Sequence, residues 1–122
     1  MIKGWKPTPG NCFHDSYTLL TEARAYRNAV LCHGYPRLTR PDGGRPAGTV
    51  YAHAWLETKV RGPDGSAIWF AHDHLHLDYP VMVDLFYEVG QIDPGHVRRY
   101  TIEEAMIAAL KFEHYGPWDG TV

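Results

Sequence analysis

Apolar and polar positions recur along this chain with two different periods, and the switches between them mark out helices and strands. From Cys12 onward, Cys12, Ser16, Leu19, Leu20, Ala23 and Tyr26 follow the i, i+4, i+7, i+8, i+11 spacing of one helix face. The turn-rich run Thr8-Pro9-Gly10-Asn11 leads into that helix, which places Cys12 in its first turn on the stripe that should face the core. Ala29-Val30-Leu31-Cys32 reads as a short apolar strand or the end of the helix, closed by Gly34-Tyr35-Pro36. Residues 36–48, with Pro41, Gly43, Gly44 and Pro46, predict a long loop of the kind that often serves as a functional flap.

Thr49 to Val60 is alternating and aromatic, the pattern of a strand, and Gly62-Pro63-Asp64-Gly65 is a strong turn signal. Ala67-Ile68-Trp69-Phe70-Ala71 begins the return strand, so the two should form a hairpin. Pro80 to Val89 predicts a short helix stopped by Gly90, and His96 to Tyr100 a further strand. Thr101 with Glu104 fits a capping box, and Ile102, Ala105, Met106, Ala109 and Leu110 form a core stripe behind it. No repeat or internal linker interrupts the chain, which predicts one α+β domain over residues 1–122.

Composition narrows the function classes. A chain of 122 residues is long enough to bury a core without staples, and two cysteines do not make a disulfide scaffold. A net charge of -2 gives no electrostatic case for nucleic acid, and the loosely clustered Arg37, Arg40, Arg45, Arg98 and Arg99 read as solvated loop residues. Met1 to Pro7 lacks the apolar core of a signal peptide, and no apolar run has the length of a membrane span. The expectation is a cytoplasmic protein with no nucleic-acid and no membrane partner.

Candidate chemistry centres on Cys12. A thiolate is favoured at a helix start, where unpaired backbone N–H groups and the helix dipole stabilise negative charge. Those N–H groups can also hold the oxyanion of a tetrahedral intermediate, with Asn11 at the helix start as the neighbouring candidate. A base should come from a strand packed against that helix. His53, flanked by the small Ala52 and Ala54, is well placed for it, and Trp55 would wall the site on the substrate side. Asp73, four residues after Trp69, is the expected acceptor that orients the imidazole.

Gly10-x-Cys12, His53-Ala54-Trp55-Leu56-Glu57 and Trp69-x-x-x-Asp73 together resemble the three signature elements of transglutaminase-like cysteine proteins. These belong to the broader papain-like fold, which includes the NlpC-type peptidoglycan peptidases. The resemblance spans roughly residues 10–75 and implies Cys12, His53 and Asp73 as a triad, with His72 or His74 as substitutes for its third member. It also implies a Cys-bearing helix packed on a small antiparallel sheet. The activity it implies is cleavage of an amide, peptide or isopeptide bond in a peptide or protein substrate, with no cofactor and no metal. Transamidation is the variant in which an amine takes the place of water.

Other residues have competing readings. Cys32 lacks the helix-start context and reads as a buried structural cysteine. Glu57, on the strand face of His53, reads as a structural acceptor, while His14 and Asp15 read as solvated first-turn residues. In a strand, His72, His74, His76 and Asp78 would share one face at plausible zinc spacing, the basis of an alternative metal-binding hydrolase. A non-catalytic binding module on the same fold is the remaining alternative. The tail His114 to Asp119 should pack back on the domain.

Overall fold

The computed structural model describes residues 11–118. The lead-in Thr8 to Gly10, the segment Met1 to Pro7, and Asp119 therefore lie outside the described residues. Helix α1 spans Cys12–Glu22, with Ser16, Leu19 and Leu20 buried along its inner stripe. It ends one turn earlier than the periodicity predicts, because Ala23 is extended and a 3-10 turn, Arg24–Tyr26, redirects the chain. The stripe continues through that turn, and Ala23 and Tyr26 are buried as well.

The described chain forms a mixed α/β domain around a five-stranded sheet of order β4-β3-β2-β1-β5, antiparallel at every pair. Its strands are β1 Val30–Gly34, β2 His53–Arg61, β3 Ala67–His72, β4 Val81–Met82 and β5 Arg98–Tyr100. Two further α-helices, α2 Val83–Gly90 and α3 Ile102–Phe112, and a second 3-10 turn, Pro94–His96, complete the described elements. The expected hairpin forms between β2 and β3, closed by Gly62 N–H donating to the Ser66 carbonyl at 2.7 Å. The capping box at α3 is present, with both the Thr101 and the Glu104 side chains engaged.

Side chains alternate across the sheet, and each face has its own core. Leu31 and Leu56 are cross-strand partners on one face and pack with Leu19, Leu20, Ala105 and Trp118. Cys32 and Trp55 are partners on the other face and pack with Ala71, Tyr87, Ile92 and Val97. Burial of each large apolar side chain contributes about 1.5–3 kcal/mol relative to exposure. Because β2 is third of the five strands, His53 through Glu57 are all buried, and its apparent alternation does not leave a solvated face there. The tail packs back through Trp118, whose indole N–H donates to the His114 carbonyl at 2.8 Å.

The long loop is not slack. Leu38 N–H donates to the Thr49 carbonyl at 2.9 Å, and Gly48 N–H donates to the Leu38 carbonyl at 2.8 Å. Asp42 and Arg45 exchange backbone bonds across Gly43 and Gly44, both at positive φ, the requirement of a tight two-residue hairpin turn. This pairing keeps Thr49 to Ala52 out of the sheet, so β2 begins at His53 rather than Thr49. Gly90 is the last residue of α2, and the left-handed cap falls on Gln91, whose φ is 52°. Gly90 instead serves packing, since a Cβ there would meet Ile92 at 3.1 Å.

Candidate functional site

Alternation along β2 puts His53, Trp55 and Glu57 on the α2 side of the sheet and Ala54 and Leu56 on the α1 side. His53 is the first residue of β2, at the strand end. There it lies near Cys12, the first residue of α1, and the cysteine raises the proton affinity of the imidazole. Nucleophile and base candidates thus come from opposite faces of the sheet and meet where the strand ends. Cys12 is half-buried and is a free thiol.

The imidazole is 2 % exposed, and its Nε2–H donates to Asp73 Oδ2 at 2.9 Å. That leaves Nδ1 as the nitrogen available to the sulfur. Burial disfavours the imidazolium, but the hydrogen bonds with Asp73 and Cys12, and their negative charge, outweigh it and raise His53 to about 9. Asp73 is itself buried, which would raise it, yet hydrogen bonds from His53 and His76 hold it well below the usual carboxylate range. Asp73 lies one residue beyond the end of β3 rather than on it. Leu77 N–H and His76 N–H both return to its carbonyl, at 2.8 and 3.2 Å, and tie the chain into a turn.

That turn changes the reading of residues 72–78. A continuous strand would have aligned His72, His74 and His76, but the strand stops at His72 and the three imidazoles go to different partners. His72 Nε2 is hydrogen-bonded to Thr58 Oγ1 at 2.6 Å, and His74 Nε2 to Tyr26 OH at 2.8 Å. Burial pushes both below their ordinary range, His74 against the pull of Asp73. His76 Nδ1–H donates to Asp73 Oδ2 at 2.9 Å. The zinc spacing read from the sequence is therefore not assembled, and neither His72 nor His74 replaces Asp73 beside His53.

Trp55 is also placed differently from expectation. It is fully buried, so it walls no substrate space. It lies behind His53 with ring centroids 6.0 Å apart, and its indole N–H donates to Glu57 Oε2 at 2.9 Å. Glu57 also accepts from the Tyr87 hydroxyl and lies 3.5 Å from Arg99 Nε, which bears out its reading as a structural acceptor. Asn11 sits exposed at the N-cap position of α1 without a side-chain capping bond, its Nδ2–H donating instead to His14 Nδ1 at 3.1 Å. Cys32 is buried, and burial followed by the charge of Glu57 pushes its thiol well above the ordinary range.

A cleft of about 580 Å³ opens beside the imidazole, lined by His53, Asp73, His76 and Tyr51. Its walls are the loop Pro36 to Asp42 and the apolar Leu77, Val81, Leu85, Phe86 and Val89. Cys12 lines a separate pit of about 10 Å³ with Asp73, Ala54 and His74, about the room that one water molecule needs. Asp73 borders both spaces. The cleft wall was not legible as a site feature, since it depends on the packing of α2, whereas His76, read from the sequence as one of the zinc-spaced histidines, reaches Asp73 through the turn after His72. Among the described residues, no helix is long and apolar enough to cross a membrane. No protein-family model matches the chain, and no curated protein or solved structure matches it either.

Proposed function

We propose that this protein is a cysteine hydrolase that cleaves an amide, peptide or isopeptide bond through an acyl-enzyme on Cys12. The observation that carries this reading is buried His53, held by Asp73 at 2.9 Å on Nε2 and near enough to Cys12, at the start of α1, for the cysteine to raise its proton affinity. A helix start, a cationic imidazole and a buried carboxylate are the three environments that cysteine nucleophiles use. The same order of Cys, His and Asp along the chain underlies the resemblance to transglutaminase-like and papain-like enzymes.

In this mechanism the Cys12 sulfur attacks the carbonyl carbon, and the carbonyl oxygen becomes an oxyanion near the first-turn N–H groups of α1. His53, protonated at neutral pH by its raised affinity, gives its proton to the leaving amine as the C–N bond breaks. Water then attacks the thioester, with His53 taking its proton, and the C–S bond breaks to release the acid. Asp73 fixes the ring and stabilises its positive form throughout. The apolar wall from Leu77 to Val89 favours a substrate carrying a large apolar side chain beside the scissile bond.

Labelling with a library of electrophilic peptides tests the reading. It calls for a covalent adduct on Cys12 and a preference for apolar side chains. Adducts confined to Cys32, or none, would remove the proposal.

A further inference from the structure

We propose that His53, Asp73 and His76 form a binding site for a divalent zinc-like ion, and that an ion held there shuts off the base function of His53. Each residue offers one ligand atom, and the three atoms lie within 4.8 Å of one another. Two imidazole nitrogens and one carboxylate oxygen are a donor set that zinc takes with an open fourth position. His53 Nε2 and His76 Nδ1 approach the same oxygen, Asp73 Oδ2, each at 2.9 Å, so the two rings converge on one point.

The site is reachable. All three residues line the cleft of about 580 Å³, which leaves room for a water or a substrate atom at the remaining coordination position. His76 is the half-exposed member and lies on the solvent side of two buried partners, where an ion would enter. Binding replaces the ring protons now donated to Asp73 with bonds to the metal, and those protons leave to solvent.

The consequence for His53 follows from its two nitrogens. Once Nε2 gives its lone pair to a metal, the ring's remaining proton sits on Nδ1. That nitrogen can then donate but no longer accept, so His53 cannot take a proton from Cys12 or from water. This inhibitory consequence rests on the cysteine-hydrolase reading, whereas the metal site itself does not.

The test uses the full chain, treated with a chelator and titrated with zinc alone against a chromophoric competitor. One zinc per chain is expected, with proton release, at least tenfold weaker binding in His76→Ala and in Asp73→Asn, and unchanged binding in His74→Ala. Melting curves show whether each variant is folded, and the exposed position of His76 makes it the informative one. Failure of the wild type to bind, or full binding by folded His76→Ala, overturns the site. In parallel, zinc should slow alkylation of Cys12 in the wild type and leave it unchanged in His76→Ala. Zinc bound through these residues with no effect on Cys12 overturns the inhibitory link, and this outcome is separate from an unreactive Cys12 in metal-free protein, which counts against the hydrolase reading.

Discussion

Gly34 lies directly opposite His53 in the β1–β2 pair, and its missing side chain is what lets Trp55 fill the space behind the imidazole. A Cβ on Gly34 would come within 2.5 Å of Trp55 Cη2 and 3.2 Å of Cζ3. The tryptophan is fully buried against Phe86 and Tyr87 and has no room to retreat. Gly34→Ala should therefore cost about 1–3 kcal/mol through overpacking. Denaturant unfolding checks this, and a neutral or stabilising result would show that Trp55 is not held as described.

His53 binds its proton more readily in the folded chain than its ordinary value of 6.5 allows, up to about 9. Its contribution to stability is complete below about pH 6.5 and is lost as pH rises through about 9. A shift of that size corresponds to about 3 kcal/mol, shared with Asp73 as the same interaction. Asp73 acts with the opposite sign, and its contribution is present above about pH 3.8 and lost as pH falls. His72 and His74, held below their ordinary value of 6.5 by burial, act with the opposite sign, and their effect fades as pH rises above that value. Unfolding free energy measured from pH 6.5 to 9 should fall in the wild type, and the fall should largely vanish in Asp73→Asn.

Glu57 gathers three donors, the Trp55 indole, the Tyr87 hydroxyl and the Arg99 guanidinium, at a position 2 % exposed. Glu57→Gln removes the charge beside Arg99 and points an amide N–H₂ at one of the donors. A loss of about 1–3 kcal/mol is expected from the buried group left unsatisfied. Thermal melts read it, and labelling of Cys12 in the folded variant should persist, because Glu57 does not touch His53 or the sulfur.

His72 is bonded to Thr58 Oγ1, while Asp73 takes its bonds from His53 and His76. His72→Ala should cost about 0.5–1.5 kcal/mol for the lost hydrogen bond and leave Cys12 reactivity unchanged. A folded His72→Ala with a tenfold slower Cys12 would restore His72 as the third member of the site.

Much of this arrangement was legible in the sequence where the pattern is local. The Cys12 stripe, the Gly62–Gly65 turn and the Thr101/Glu104 box each depend on residues within a few positions of one another, and each appears in the structure. The pairing of His53 with Asp73 was legible from chain order and residue type, and it is present at 2.9 Å. Residues 72–78 misled because alternating His and apolar residues fit a strand, whereas two backbone bonds to the Asp73 carbonyl turn the chain after one residue. Trp55 misled for another reason. Its exposure depends on α2 covering that sheet face, and nothing within β2 reports the presence of Phe86 and Tyr87. His76 was legible as a candidate metal ligand, but its partnership with Asp73 depends on the turn after His72.

The central claim is that His53 activates Cys12, and alkylation by iodoacetamide at neutral pH tests it most directly, with the modified cysteine mapped by mass spectrometry. Modification should fall on Cys12, at least about tenfold faster than on the buried Cys32 and about tenfold faster than on Cys12 of folded His53→Ala. A Cys12 that reacts at the rate of an ordinary free thiol, unchanged by the loss of His53, would contradict the account.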